Sequence, residues 1–139
     1  MNTAMIQPYL FFGGRCEEAL AFYQVTLGAT IEMVMHFKDN PEKSDDCPIP
    51  ADFDDKVMHA SFQVAGSTLM ASDGCGDASG FKGFSLSLTL PTEVECQRVF
   101  AALVEGGVVT MPLGKTFWSP CFGMVTDRFG LCWMLTVPG

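Results

Sequence analysis

Histidine is scarce in this 139-residue chain, which has only His36 and His59. Basic residues are few as well: eight Lys and Arg stand against sixteen Asp and Glu, for a net charge of −8. Holding nucleic-acid phosphates needs a basic stripe, so no nucleic-acid partner is expected. The acidic excess reads as a solubility feature. No run approaches the roughly 18 apolar residues that span a bilayer. The start, Met1-Asn2-Thr3-Ala4-Met5, lacks the basic and apolar regions of a secretory signal. No membrane partner is expected, and a cytoplasmic location is. The six cysteines (Cys16, Cys47, Cys75, Cys96, Cys121 and Cys132) make no CxxC and no zinc-type spacing. They read as reduced thiols, several of them serving as small apolar residues. There is no Ser-His-Asp order and no phosphate loop, and no cofactor is expected.

What is present is apolar material for one core: 48% of the residues are hydrophobic, with twelve Phe and nine Met. The length suits a single domain over 1–139. Residues 5–12 (MIQPYLFF) read as a strand. Residues 15–27 read as a helix, with Ala19, Leu20, Phe22, Tyr23 and Leu27 at helical spacing and Gly28 placed to end it. A strand follows at about 30–37. The stretch 39–56, with three prolines and seven acids, reads as a loop too long for a plain connector. Residues 57–65 and 68–73 read as a hairpin turning on Gly66-Ser67, and 74–83 as a Gly-rich linker.

The order then repeats. Residues 84–90 (FSLSLTL) alternate as a half-buried strand does. Thr92-Glu93-Val94-Glu95 is a capping box for a helix with Val94, Val99, Phe100 and Leu103 on one face, ended by Gly106-Gly107. Strands are predicted near 108–111, 122–127 and 131–137. A shift of 78 lays Gln7 on Ser85, Phe12 on Leu90, Phe22 on Phe100 and Gly28 on Gly106. A shift of 64 lays Gly66 on Gly130, Leu69 on Trp133 and Met70 on Met134, and the acidic loop is the place for the extra length in the first half. The expected fold class is α+β, two βαβββ modules (about 5–73 and 84–137) forming a curved mixed sheet around a cleft.

Several segments carry a family resemblance. "EEALAFYQVTLGA" (Glu17 to Ala29) resembles the first-helix signature of the vicinal-oxygen-chelate superfamily, which holds glyoxalase I, bleomycin-resistance proteins and extradiol dioxygenases. "VTDRFGLCWMLTV" (Val125 to Val137) resembles its last hairpin. More narrowly, "PYLFF", "AFYQVTLGA", "CPIP", "MHASFQVAGSTLMASD" and "TFWSPCFGMVTDRFGLCWML" resemble the PhnB-like branch, in order along nearly the whole chain. The resemblance implies the glyoxalase/bleomycin-resistance fold and a homodimer. Members of this branch often bear the name of a demethylubiquinone methyltransferase. That activity would call for a Gly-rich loop after a strand in a βαβ unit, and none is read here.

The superfamily typically holds a divalent metal through His or Glu on the first and last strand of each module. By resemblance those positions are Gln7, Met70, Ser85 and Met134. None is an imidazole or carboxylate, and neutral oxygens and thioethers are poor ligands for Zn, Ni, Mn or Mg, so no metal is expected at them. Side chains two apart share a strand face. Gln7, Tyr9 and Phe11 are therefore set to one side of the first strand, as are His59, Ser61 and Gln63, then Ser85, Ser87 and Thr89, and finally Cys132, Met134 and Thr136. This mixed set of rings, thioethers and neutral hydrogen-bonding groups suits a small organic ligand.

His59 is a candidate acid–base or ligand anchor, weighed against a structural histidine. His36 reads as a surface residue. Asp73 reads as a cap on the turn into Gly74, with orientation of His59 or ligand binding as the alternative. Cys47 reads as a loop residue, its acidic neighbours disfavouring a thiolate. Phe117, Trp118 and Phe122 form an aromatic cluster, either hairpin packing or a wall for a planar ligand; Trp118 joins the candidate ligand-binding set. Asp127 and Arg128 read as structural turn residues. Two functions follow: a metal-free protein that binds a small organic molecule, or a lyase or isomerase using His59 or a metal bound at a non-standard place.

Overall fold

A computed structural model describes residues 4–40, 52–74 and 80–139. The chain divides into two compact units, 1–79 and 80–139. The first contains β1 (Tyr9–Phe11), α1 (Cys16–Leu27), β2 (Thr30–His36), β3 (Val57–Val64) and β4 (Ser67–Ser72). The second contains β5 (Leu86–Thr89), α2 (Glu93–Val104), β6 (Val108–Gly114), β7 (Phe122–Thr126) and β8 (Cys132–Thr136). Each builds a four-stranded mixed sheet, in the orders β1-β4-β3-β2 and β5-β8-β7-β6. The first pair of each sheet is parallel and the others antiparallel. The class is α+β, as expected, and the repeat reaches the register: Tyr9 lies opposite Met70, and Ser87 opposite Met134.

In the first unit α1 covers one sheet face. Cys16, Ala19, Leu20, Tyr23 and Thr26 are its buried residues, a stripe at helical spacing. Phe22 and Leu27, predicted to belong to it, sit at its margin. Tyr23 stacks on Phe62 with ring centroids 6.1 Å apart. Leu10, Ala60, Leu69 and Ala71 complete this core. Gly28 ends the helix in the left-handed conformation (φ 67°), with its N–H on the Tyr23 carbonyl. In the second unit the Thr92 hydroxyl accepts the Glu95 N–H at 3.1 Å, while the Glu95 carboxylate meets Arg98. The buried face of α2 is Cys96, Val99 and Leu103. Val94, expected on it, is 77% exposed: two residues before Cys96, it points about 200° around the helix.

The boundaries differ from expectation where proline and turn geometry intervene. The strand predicted over 5–12 pairs only from Tyr9 to Phe11. Pro8 supplies a carbonyl to Met70 but has no N–H to give. The β3–β4 hairpin turns on Ala65-Gly66, both at positive φ (51° and 83°), with Ser67 already paired to Val64; two left-handed residues are what a two-residue hairpin turn of this hand needs. β6 runs on to Gly114 through Pro112, tolerated because β6 is an edge strand. Of the predicted loop 39–56, residues 41–51 lie outside the described residues, with Cys47 and the CPIP segment. So do 75–79 of the predicted linker, with Cys75. At the flanks of the loop, Phe37–Asp39 form a short 3-10 turn and Phe53 is buried beside Phe37.

Candidate functional site

The side of the first sheet away from α1 carries several of the sequence-predicted residues. Strand parity sorts them: Leu10 and Phe12 are buried, while Tyr9 is 38% and Phe11 54% exposed. Met33, Ser61, Met70 and Tyr9 stand opposite one another across all four strands. His59 is the next residue along this face of β3, opposite Met35 on β2. Gln7, half-buried, stands two residues before Tyr9. Three rings adjoin: Phe11 to Tyr9 with centroids 5.1 Å apart, and Tyr9 to His59 at 5.6 Å. The Tyr9 hydroxyl and His59 Nδ1 are 3.0 Å apart, a hydrogen bond reaching over β4. At the other end of the face Gln63 donates to Glu32.

In the second unit the corresponding row is Ser87, Met134, Met124 and Met111, in register across β5, β8, β7 and β6. Ser85 lies just before β5 and is half-buried. Trp118 packs edge-on between Phe117 and Phe122, with centroids 4.8 and 5.3 Å away. Phe117 and Trp118 are largely exposed and Phe122 is buried. The turn behind Trp118 is pinned by buried Ser119, whose hydroxyl lies 2.7 Å from the Val137 carbonyl and 2.9 Å from that of Cys121. Nothing in the local sequence distinguished Ser119 from any loop serine.

Asp73 corrects the sequence reading. It is 1% exposed and does not cap the turn into Gly74; Ser72 does that, its Oγ accepting the Gly74 N–H. Asp73 Oδ1 instead accepts the N–H groups of Gly14 (2.7 Å) and Cys16 (2.8 Å), and Oδ2 that of Val57 (2.9 Å). It therefore caps α1 from 57 residues away in sequence, meeting the positive end of the helix with a carboxylate. Two glycines, Gly13 and Gly14, stand between β1 and α1, and the Gly14 N–H is taken by Asp73. Asp127 matches its structural reading: it is buried and accepts from Phe129, Leu131 and the Trp133 indole. Arg128 donates to the Glu105 carbonyl at the end of α2.

His36 lies at the surface, as expected, and is paired there. Its side chain is 28% exposed, and Nε2 lies 2.7 Å from Glu17 in the first turn of α1. Gly74 leaves room for Phe11: it has φ +60°, and a Cβ there would come within 3.2 Å of the Phe11 ring. Burial, reinforced by Asp73 and then Glu17, pushes the Cys16 thiol far above its ordinary range. Burial and then a hydrogen bond with Cys121 push Cys96 up as well. Neither is a ready nucleophile.

The positions at which the superfamily would hold a metal do not fit one. Their donors are an amide (Gln7), a hydroxyl (Ser85) and two thioethers (Met70 and Met134). Hard and borderline divalent ions take carboxylate or imidazole. Among the described residues no group of three or more His, Cys, Asp or Glu side chains is placed to hold a metal ion, and no helix is long and apolar enough to cross a membrane.

Comparison with known proteins supplies the family. Residues 4–136 match the family described as 3-demethylubiquinone-9 3-methyltransferase. Protein YjdN of Escherichia coli (strain K12) is 40% identical, the match covering 95% of this chain and 94% of that one. The crystal structure of protein PA1353 from Pseudomonas aeruginosa is 46% identical with a TM-score of 0.86, covering 98% of both chains. A PhnB protein from Bacillus cereus, described as a putative 3-demethylubiquinone-9 3-methyltransferase, is 29% identical with a TM-score of 0.78, over 96% of this chain and 99% of that one. At 13% identity and a TM-score of 0.63, over 100% of both chains, a glyoxylase/bleomycin resistance protein/dioxygenase domain from Frankia sp. EAN1pec shares the fold. The chain thus belongs to the family described as 3-demethylubiquinone-9 3-methyltransferase, the PhnB-like branch of proteins with the glyoxalase/bleomycin-resistance fold.

Proposed function

We propose that this protein binds a small organic molecule on the open face of the first sheet, without a metal ion at the superfamily's positions. The observation that carries the reading is the run of rings Phe11, Tyr9 and His59 on that face, tied by the 3.0 Å Tyr9–His59 hydrogen bond. Exposed rings beside thioethers (Met33, Met70) and a few neutral polar groups (Gln7, Ser61) are the composition of a small-molecule site. The sheet topology does not support the methyltransferase description borne by the family. A doubly wound nucleotide-binding fold takes its cofactor at a Gly-rich turn in a mostly parallel sheet. Both sheets here are mixed, and the Gly13-Gly14 turn before α1 is closed by Asp73.

The test uses protein stripped with a chelator and labelled at the methionine methyl groups. A fragment set of aromatic acids, ketones, alcohols and amines is titrated in. The expected result is that at least one fragment moves the signals of Met33, Met35 and Met70 together. Tyr9→Ala with Phe11→Ala should weaken that fragment by about tenfold or more, the loss of roughly 1.4 kcal/mol. Fragments that act only after divalent metal is restored, or that ignore these three methionines, would refute the reading.

A further inference from the structure

We infer that His59 meets its ligand as a hydrogen-bond donor through Nε2, and that the ligand therefore presents a carbonyl or carboxylate oxygen beside a flat apolar body. This rests on the binding reading above and adds the ligand class to it.

The argument starts from the 3.0 Å contact between the Tyr9 hydroxyl and His59 Nδ1. A neutral imidazole carries one N–H and one nitrogen lone pair, and the partner of one nitrogen decides the role of the other. A phenol is a strong donor and a weak acceptor, because its oxygen lone pair is delocalised into the ring. The sp² lone pair of imidazole is a strong acceptor. The bond therefore runs from Tyr9 O–H to Nδ1, and the proton of the ring sits on Nε2. No described residue hydrogen-bonds to Nε2. The ring is steadied by Tyr9 beside it, with centroids 5.6 Å apart, so its free N–H has a defined direction.

The rest of the face fits an oxygen-bearing ligand with an apolar body. Phe11 and Tyr9 offer exposed ring surface, and Met70 lies opposite Tyr9 in register. Ser61 and Gln7 can donate or accept. The carboxylate of this face, Glu32, is already engaged by Gln63. An ammonium ligand has no lone pair to offer Nε2–H, whereas a carbonyl or carboxylate oxygen does.

Two histidines in the whole chain make the test clean. Long-range ¹⁵N–¹H correlation on histidine-labelled protein at pH 8.5, with His59→Gln to assign the signals, reads the tautomer directly. Three probes of similar size are then titrated: benzoate, acetophenone and benzylamine. The expected result is an Nε2–H tautomer, a shift of the His59 Nε2 resonance with benzoate and acetophenone, and binding of at least one of them about tenfold tighter than benzylamine. The relative strength of the first two shows whether the anion or the neutral carbonyl is preferred. His59→Leu should abolish the preference over benzylamine, and His59→Gln, which keeps an N–H donor, should restore part of it. An Nδ1–H tautomer, benzylamine binding as well as the oxygen probes, or a preference that survives in His59→Leu would overturn the donor assignment alone. An Nε2–H tautomer with none of the three probes moving any signal of the face would overturn the binding reading, and the ligand class with it.

Discussion

Removing the Asp73 carboxylate tests the long-range cap that organises the first unit. In Asp73→Ala the N–H groups of Cys16 and Val57, both buried, lose their acceptor, and that of Gly14, partly buried, loses it too. Leaving a buried donor unsatisfied costs about 1–3 kcal/mol. Two such groups, with a smaller share for Gly14, put the loss at about 3–6 kcal/mol, against a whole-domain stability of about 5–15 kcal/mol. Asp73→Asn separates the two oxygens. Its remaining carbonyl can still serve Gly14 and Cys16, but its NH₂ then faces the Val57 N–H, so the cost is that of one group, about 1–3 kcal/mol. The assay is urea unfolding followed by circular dichroism, with the midpoint compared at constant slope. The expected order is wild type, then Asn, then Ala; if Ala does not fold, Asn still gives the measurement. A loss below about 1 kcal/mol for Ala, or equal losses for Asn and Ala, would refute the division of labour between Oδ1 and Oδ2.

Two further outcomes follow from the same geometry. Gly74→Ala places a Cβ 3.2 Å from Phe11 at a φ of +60°, which should cost about 1–2 kcal/mol and displace the Phe11 ring; unchanged ring signals in its aromatic spectrum would contradict this. The buried thiols Cys16 and Cys96 make stability fall in alkali. Below the ordinary value of 9.0 both folded and unfolded chains keep these protons. Above it the unfolded chain releases them while the folded chain holds them, so each thiol lowers stability by up to about 1.4 kcal/mol per pH unit. Cys16→Ala should show a shallower loss than wild type between pH 9 and 10.5 in urea titrations, and parallel curves would refute the effect.

What the sequence determined by itself is what depends on neighbours in the chain. Alternation of period two placed Tyr9 and Phe11 opposite Leu10 and Phe12, and His59 and Ser61 on one side of β3. Helical spacing, Thr92 and Gly28 marked α1 and α2, and the doubled element order exposed the repeat of sheet topology. These signals are local because a strand repeats every two residues and a helix every 3.6. Where a signal needed geometry around the helix rather than along it, as for Val94 against Cys96, composition misled. Only the tertiary structure decided the bonds that close over long separations. Asp73 meets Gly14, Cys16 and Val57 because the end of β4 is brought beside the start of α1 and of β3. Tyr9 meets His59, 50 residues on, because the sheet order β1-β4-β3 leaves one strand between them and a tyrosine is long enough to reach across it. A carboxylate or a hydroxyl in a sequence carries no mark of its distant partner; that partner is chosen by which strands pair, and the pairing is the outcome of burying the apolar faces of the whole unit at once.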